Sequence, residues 1–356
     1  MSTNPAVSSV SILRSLPKFI VLGWIVLSLA ACTGFVAGGS TRHLQPLSQS
    51  MQTALRNLGS SPGEPMLVRV FKEESRLEVW KRTASGQYRL LKTYEICAWS
   101  GELGPKIREG DRQAPEGVYN VTPGLMNPNS NYHLAFNTGF PNKFDRVQGR
   151  TGSHLMVHGD CSSVGCYAMT DAGIAEIYAL ARETFAGGNA SFQLQLFPFR
   201  MTPENMARHA QSPHMPFWQN IKEAYDHFEV SRTPPVWDVC EGRYVFGVMA
   251  GSNLDAAGRC PPLTRSAALT QRMQADQAAM ERILAGEARQ QREAEVIAAR
   301  GAAVNGAVSG FFSGFGNLFG AGEAPAQAAV PAASGLPVPQ APQPQAPHPL
   351  SPPPRN

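Results

Sequence analysis

Between Met66 and Phe199 the chain is cut into short runs with a two-residue apolar period, and that period restricts its fold more than any other feature. "LVRVF", Leu77-Glu78-Val79-Trp80 and "YRLLKTYEI" each alternate as half-buried strands do, with a polar turn at "TASGQ" between the last two. The β pattern resumes at Val118, Tyr119 and Val121, and again in "NYHLAF", "SHLMVHG" and "SFQLQLF". One segment inside this span switches to helical spacing. Thr170-Asp171 offers an N-cap, Ile174, Ile177, Ala181 and Phe185 share a face, and Gly187-Gly188 stops the helix near Ala186. Residues 66–199 therefore read as a mainly β (α+β) domain with one embedded helix. Two Gly-, Pro- and charge-rich stretches, "CAWSGELGPKIREGDRQAPEG" and "NTGFPNKFDRVQGRTG", are long loops of the kind that carries function.

The flanks have a different composition. Arg14 and Lys18 precede "FIVLGWIVLSLAA", 13 residues ending in small side chains. That is short of the roughly 20 a spanning helix needs, so residues 1–32 read as an export signal. Leu29-Ala30-Ala31-Cys32 fits a bacterial lipoprotein signal, with cleavage before Cys32 and lipid on its thiol; an uncleaved anchor or ordinary cleavage nearby are the alternatives. Residues 33–65 read as a tether containing a short helical candidate from Met51 to Leu58. Residues 200–264 form an accessory subdomain, with Thr202-Pro203 opening one helix and Phe217, Ile221, Ala224 and Phe228 striping another. Residues 265–300 suggest a thin amphipathic helix through Leu269, Met273, Met280 and Leu284, able to pack on an envelope partner or back on the domain. Residues 301–356, Gly/Phe-rich and then Pro/Ala-rich, lack a packing period and read as a disordered tail that touches wall or membrane. The 33 glycines and 29 prolines agree with such unpacked stretches. A formal charge of +4 without a Lys/Arg cluster argues against a nucleic-acid partner.

Six cysteines in an exported chain are normally disulfide material. Cys32 goes to the lipid site, and Cys240 and Cys260 bracket a Gly-rich segment where a local disulfide is the default. Cys97, Cys161 and Cys166 remain, so at least one is free or unusually paired; whether Cys97 pairs with Cys161 stays open. Two of the three lie in "HGDCSSVGCYAMTD", His158 to Asp171.

A cysteine attacks only as thiolate, so a nucleophilic one needs an imidazole or a helix N-terminus to lower its pKa from about 8.5. Cys166 has His158 at a strand end upstream and a helix cap four residues downstream. Gly165 permits a tight turn that leaves the Cys166 N–H free to face a reacting carbonyl, Ser163 can hydrogen-bond within the turn, and Gly159 lets the chain leave the strand. Cys161, beside Asp160, has no such flanks. The bland reading is a buried or bonded pair of thiols with a satisfied histidine. A zinc site from His154, His158, Cys161 and Cys166 is poorly spaced: on a strand the two histidines stand some 13 Å apart at about 3.3 Å per residue, and no paired C-x2-C knuckle is present.

These residues resemble the L,D-transpeptidase (YkuD) catalytic domain family over about Met66 to Phe199. Ser163, Gly165 and Cys166 match its Ser-x-Gly-Cys motif, His158 and Gly159 its upstream His-Gly, and "APEGVY" its Thr-Pro-x-Gly strand entry. Common members space the histidine farther from the cysteine and follow the cysteine with a hydrophobic residue and Arg or Asn. Here His158 lies eight residues before Cys166, and Tyr167, Ala168 and Met169 follow. The short interval resembles a murein transpeptidase-like subgroup, some members of which resemble hydrolases that release proteins from peptidoglycan.

The resemblance implies a YkuD-like β-sandwich or barrel and a cysteine acyl-enzyme on peptidoglycan stem peptides, with Cys166 attacking at diaminopimelate and His158 holding the thiolate. It implies no metal and no organic cofactor. Cys166 and neighbouring N–H groups would meet the oxyanion. Lys106, Arg108, Arg112, Lys143 and Arg146 are candidate clamps for substrate carboxylates, and Tyr132, His133 and Tyr167 candidate cleft residues. Three competitors stay in view: a peptidoglycan amidase or carboxypeptidase using the same cysteine, a non-enzymatic wall-binding lipoprotein, and a Cys161–Cys166 redox switch. A structural Cys166 should be buried or bonded to Cys161; a catalytic one should be accessible and near His158.

Overall fold

The computed structural model describes residues 41–316, with side chains through residue 310. The lipoprotein-signal and Cys32 expectations, and the tail beyond residue 316, lie outside the described residues. The fold is α+β. Strands β1 Met66–Phe71, β2 Arg76–Arg82, β3 Tyr88–Glu95, β5 Gly117–Val121 and β10 Phe192–Phe197 make a five-stranded sheet in the order β3-β2-β1-β10-β5. Only the β1/β10 pair in it is parallel. A second five-stranded sheet joins β4 Ala98–Trp99, β6 Met126–Asn127, β7 Ala135–Asn137, β8 Met156–His158 and β9 Tyr167–Ala168 in the order β4-β9-β8-β7-β6. A hairpin of β11 Trp237–Cys240 and β12 Arg243–Phe246 stands apart.

β1 alternates in sequence yet is buried at every residue, because both faces of its sheet are covered. Met66, Val68 and Val70 join a core shared with Phe136, Val157 and Tyr167 of the second sheet and with helix α3, Asp171–Ala186. Phe71 and Phe197 face the other way, against α5, Met215–Ser231, through Trp218, Ile221 and Tyr225. Arg69 shares that face: its guanidinium lies 4.6 Å from the Tyr225 ring and 4.8 Å from that of Phe228, and pairs with Glu229 at 2.8 Å. Two further short helices, α2 Lys143–Val147 and α4 Pro203–Arg208, brace the loops beside these layers.

Helix α3 begins and ends where its cap and glycines predict, with the Thr170 side chain accepting the Gly173 N–H. Three expectations change. The tether contains α1, Gln49–Leu58, whose Met51 and Leu55 enter the main core, so residues from Leu47 onward are part of the domain. The accessory segment is the cover of the sheet's second face. The amphipathic helix is α6, Ala267–Gly316, and runs through residues 301–316 assigned to the tail; alanines with good helix propensity carry it past the glycines. Its early turns pair Arg272 and Asp276 with Asp226 and Lys222 of α5. Residues 289–310, within a second compact unit, are exposed throughout. Among the described residues no helix is long and apolar enough to cross a membrane.

Candidate active site

The second sheet sets the positions of His158 and Cys166. β8 and β9 run parallel with Val157 opposite Tyr167 and His158 opposite Ala168. Cys166 immediately precedes β9, and its sulfur lies against the backbone of Met156, two residues before His158 on β8. The Met156 N–H donates to Cys166 Sγ at 3.4 Å, and the thiol points to the His154 carbonyl at 3.7 Å.

The turn before Cys166 is tightly specified. Gly165 has φ +103°, a conformation that side-chain-bearing residues rarely adopt. Ser163 donates its hydroxyl proton to the Cys166 carbonyl at 2.7 Å and accepts the Cys166 N–H at 3.0 Å. With that proton committed, the 2.8 Å contact to Ser100 Oγ has Ser100 as donor. The expectation that the Cys166 N–H stands free for an oxyanion is therefore corrected: Ser163 occupies it.

Cys97 and Cys161 form a disulfide, which leaves Cys166 as the free, half-buried cysteine among the described residues. This excludes a Cys161–Cys166 bond in this state. Cys240 and Cys260 pair as expected.

His158 is buried, with Nδ1 2.6 Å from the Gly159 carbonyl. A carbonyl only accepts, so Nδ1 carries the proton and Nε2 is left as the base. Burial lowers the His158 pKa, outweighing the Gly159 carbonyl and Asp160, which raise it. Burial raises that of Cys166 above its ordinary value, against the Met156 N–H and the Lys106 charge, which lower it. The expectation of a thiol acidified at rest is thus corrected, because burial outweighs the groups that lower its pKa. Both shifts favour the uncharged thiol and the uncharged imidazole over an ion pair. Gly159 has no room for a side chain: a Cβ there would lie 2.5 Å from Asp171 Oδ1 and 3.0 Å from the Tyr132 carbonyl.

Strain gathers around this pair. Of the eight described non-glycine residues with positive φ, five (Arg112, His133, His154, Asp160 and Cys161) border the Cys166 turn or the His158 strand end. The remaining candidates divide by location. The Tyr132 ring lies 4.8 Å from that of His158 and is half exposed. His133 Nδ1 faces Asp171 at 3.5 Å and Arg42 at 3.4 Å, in a surface network. Tyr167 does not line the cleft: strand alternation points it into the core, where its hydroxyl donates to the Pro115 carbonyl at 2.6 Å.

Among the proposed clamps, Lys106 is buried against Asp111 at 2.5 Å, Lys143 is held by Asp238 at 2.6 Å and Arg146 donates to the Pro141 carbonyl at 2.5 Å. Those three are committed to structure. Arg108 is exposed and lines a cleft of about 500 Å3 with Ile107 and His214. Arg112 is exposed beside the Cys166 turn.

Asp171, read from the sequence only as part of a helix cap, accepts the Asp160 N–H on Oδ1 at 2.9 Å, and two residues that sequence reading passes over also build the site: Ser100, which locks Ser163, and Asp111, which accepts the N–H groups of Ile107, Arg108 and Gln113. The Gly-Asp step at 110–111 is a turn signal for the last of these. Ser100 carries none.

The chain is 41% identical over 226 residues, 64% of its length and 88% of the relative's, to the Escherichia coli K12 protein named "Putative L,D-transpeptidase YafK". The Escherichia coli O157:H7 protein of that name matches equally. The chain belongs to the L,D-transpeptidase family. No family model matches it. Among solved structures it is similar to the helical cell shape determining protein Pgp2 from Campylobacter jejuni, at 24% identity and TM-score 0.30, over 43% of this chain and 55% of that one. Bdellovibrio bacteriovorus Bd1075 matches at 22% identity and TM-score 0.30, over 46% and 62% of the two chains.

Proposed function

We propose that this protein carries out acyl transfer on peptidoglycan stem peptides through a Cys166 thioester. The observation that carries the reading is the free thiol held against β8 two residues before His158, with the neighbouring Cys161 held in a disulfide. Cys166 gives its proton to His158 Nε2 as Sγ attacks the L-centre carbonyl of a diaminopimelate residue. The imidazolium then protonates the departing D-residue amine, the C–N bond breaks and a thioester remains. An incoming amine gives up a proton to His158 and displaces the thiol, which regains its proton; the product is a 3→3 cross-link.

Water in place of the amine gives hydrolysis, the second reading, with the same residues in the same roles. Export and lipid attachment at Cys32 belong to the same proposal, supported by the sequence of residues 14–32. The C-terminal helix α6 is proposed as a surface for an envelope protein.

The test is incubation of the full chain with a disaccharide tetrapeptide, with products resolved by mass. Cross-linked dimers support transpeptidation, and loss of the terminal residue without dimers supports hydrolysis. Products that persist in Cys166→Ala would reject the proposal.

A further inference from the structure

Arg112 stands at an unusual place in the loop between β4 and β5. Its φ is +55°, in the left-handed region, while both flanks are pinned. On one side the Asp111 carboxylate accepts the N–H groups of Ile107, Arg108 and Gln113 at 2.9, 3.0 and 3.0 Å, and Lys106 Nζ at 2.5 Å. On the other, the Gln113 side chain accepts the Glu102 N–H at 2.9 Å and donates to the Gly104 carbonyl at 2.7 Å, and the Ala114 N–H reaches the Ser100 carbonyl at 3.0 Å. The loop is therefore rigid on both sides of one strained arginine.

That arginine packs by its backbone against the nucleophile's turn: its Cα and carbonyl carbon lie 3.9 Å from where a Cβ on Gly165 would stand. Its side chain is exposed and, among the described residues, has no hydrogen-bond or ion-pair partner. Of the other cations of the loop, Lys106 is spent on Asp111 and Arg108 lines the cleft with His214. A rigid, strained loop holding an arginine with an exposed, unpaired side chain beside the Cys166 turn is arranged for a ligand, and a planar fork of donors matches a carboxylate in two-point contact.

We infer that Arg112 is a specificity-determining residue that binds a carboxylate of the acyl-donor peptide and so sets the scissile carbonyl against Cys166. The inference rests on the acyl-transfer reading and deepens it by assigning an anionic donor. A stem tetrapeptide offers three such groups: the D-glutamate α-carboxylate, the free diaminopimelate carboxylate and the terminal carboxylate.

The experiment measures acyl-enzyme formation by the full chain, by mass, with the unmodified tetrapeptide and with three donors each amidated at one carboxylate. Wild type is compared with Arg112→Asn, which tolerates the left-handed backbone and lacks the charge, with Arg112→Gly, which removes the strain as well, and with Arg112→Lys. On the unmodified donor Arg112→Asn and Arg112→Gly should both lower kcat/KM by about 30-fold, as expected for loss of a charged hydrogen bond. Arg112→Lys should lower it by roughly 5-fold. One amidated donor should be slow with wild type by the same factor and show no further loss with Arg112→Asn. An unchanged Arg112→Asn on the unmodified donor overturns the inference, as does an equal loss from the substitution on all four donors. Failure of wild type to acylate with any donor would instead remove the acyl-transfer reading beneath it.

Discussion

The Cys97–Cys161 bond closes 64 residues and anchors the loop that leads to the Cys166 turn, whereas Cys240–Cys260 closes 20 residues around a hairpin on the opposite side of the main sheet. Chain entropy alone gives them similar weight, about 4 and about 3 kcal/mol against the unfolded state. Their surroundings differ far more. Near the first, Asp160 and Cys161 hold positive φ, the Cys161 N–H donates to the Met169 carbonyl at 3.2 Å, and Ser100 bonds Ser163. Near the second, the sulfurs pack with Val245 and Val248 in a small apolar cluster. One bond holds a strained, polar turn in place, and the other staples a largely buried hairpin. Cross-links of similar entropic weight thus hold very different surroundings in place.

The largest effect that sharpens this contrast is at the base. His158→Gln should slow acylation by about 10³-fold, within the range of a lost general base, with little change in folding; a loss under 10-fold would remove His158 from the proposed role. Next come the disulfides. Cys97→Ser with Cys161→Ser should reduce acylation by roughly 30-fold through displacement of the turn, while Cys240→Ser with Cys260→Ser leaves it within about 2-fold. Thermal melting of the two double variants should fall comparably. Equal losses of activity would break the comparison.

The pH profile is a smaller effect with a definite sign. A neutral thiol–imidazole pair loses activity when His158 is protonated and when Cys166 has lost the proton needed by the leaving amine. The His158 pKa is lowered from 6.5, so the acid limb should fall below that value. The Cys166 pKa is raised from 9.0, so the alkaline limb should lie above it. Iodoacetamide alkylation of Cys166 should rise through the same alkaline limb. A thiolate already formed at pH 6 would contradict the neutral pair. Smallest of all, Trp218→Phe removes the 2.8 Å bond to Glu116 Oε2 from the buried Lys72–Glu116 pair, and should cost about 1.5–3 kcal/mol in denaturant unfolding with acylation nearly unchanged.

Much of this site is legible in the residues because its parts are local. The Thr170 cap, the Gly187 stop and the Ser163-x-Gly165-Cys166 turn lie within a few positions of the atoms they organise. The loop from Gly101 to Glu116 is less legible, since its order comes from Asp111 and Gln113 side chains bonding to backbone, which has no period. A ten-residue helix between polar stretches reads as a tether until the sheet it covers is known, so the core positions of Met51 and Leu55 are not legible in the sequence. The thiol's pKa follows from burial by the second sheet, and no neighbouring residue in the sequence encodes that.

The measurement that bears most directly on the central claim is the intact mass of the full chain after incubation with a carbapenem, beside Cys166→Ala and Cys161→Ala, with folding of each checked by circular dichroism. The account predicts a single covalent adduct on wild type and on Cys161→Ala, weaker on the latter, and none on Cys166→Ala. An adduct that persists on folded Cys166→Ala, or none on folded wild type, would contradict Cys166 as the acylated nucleophile.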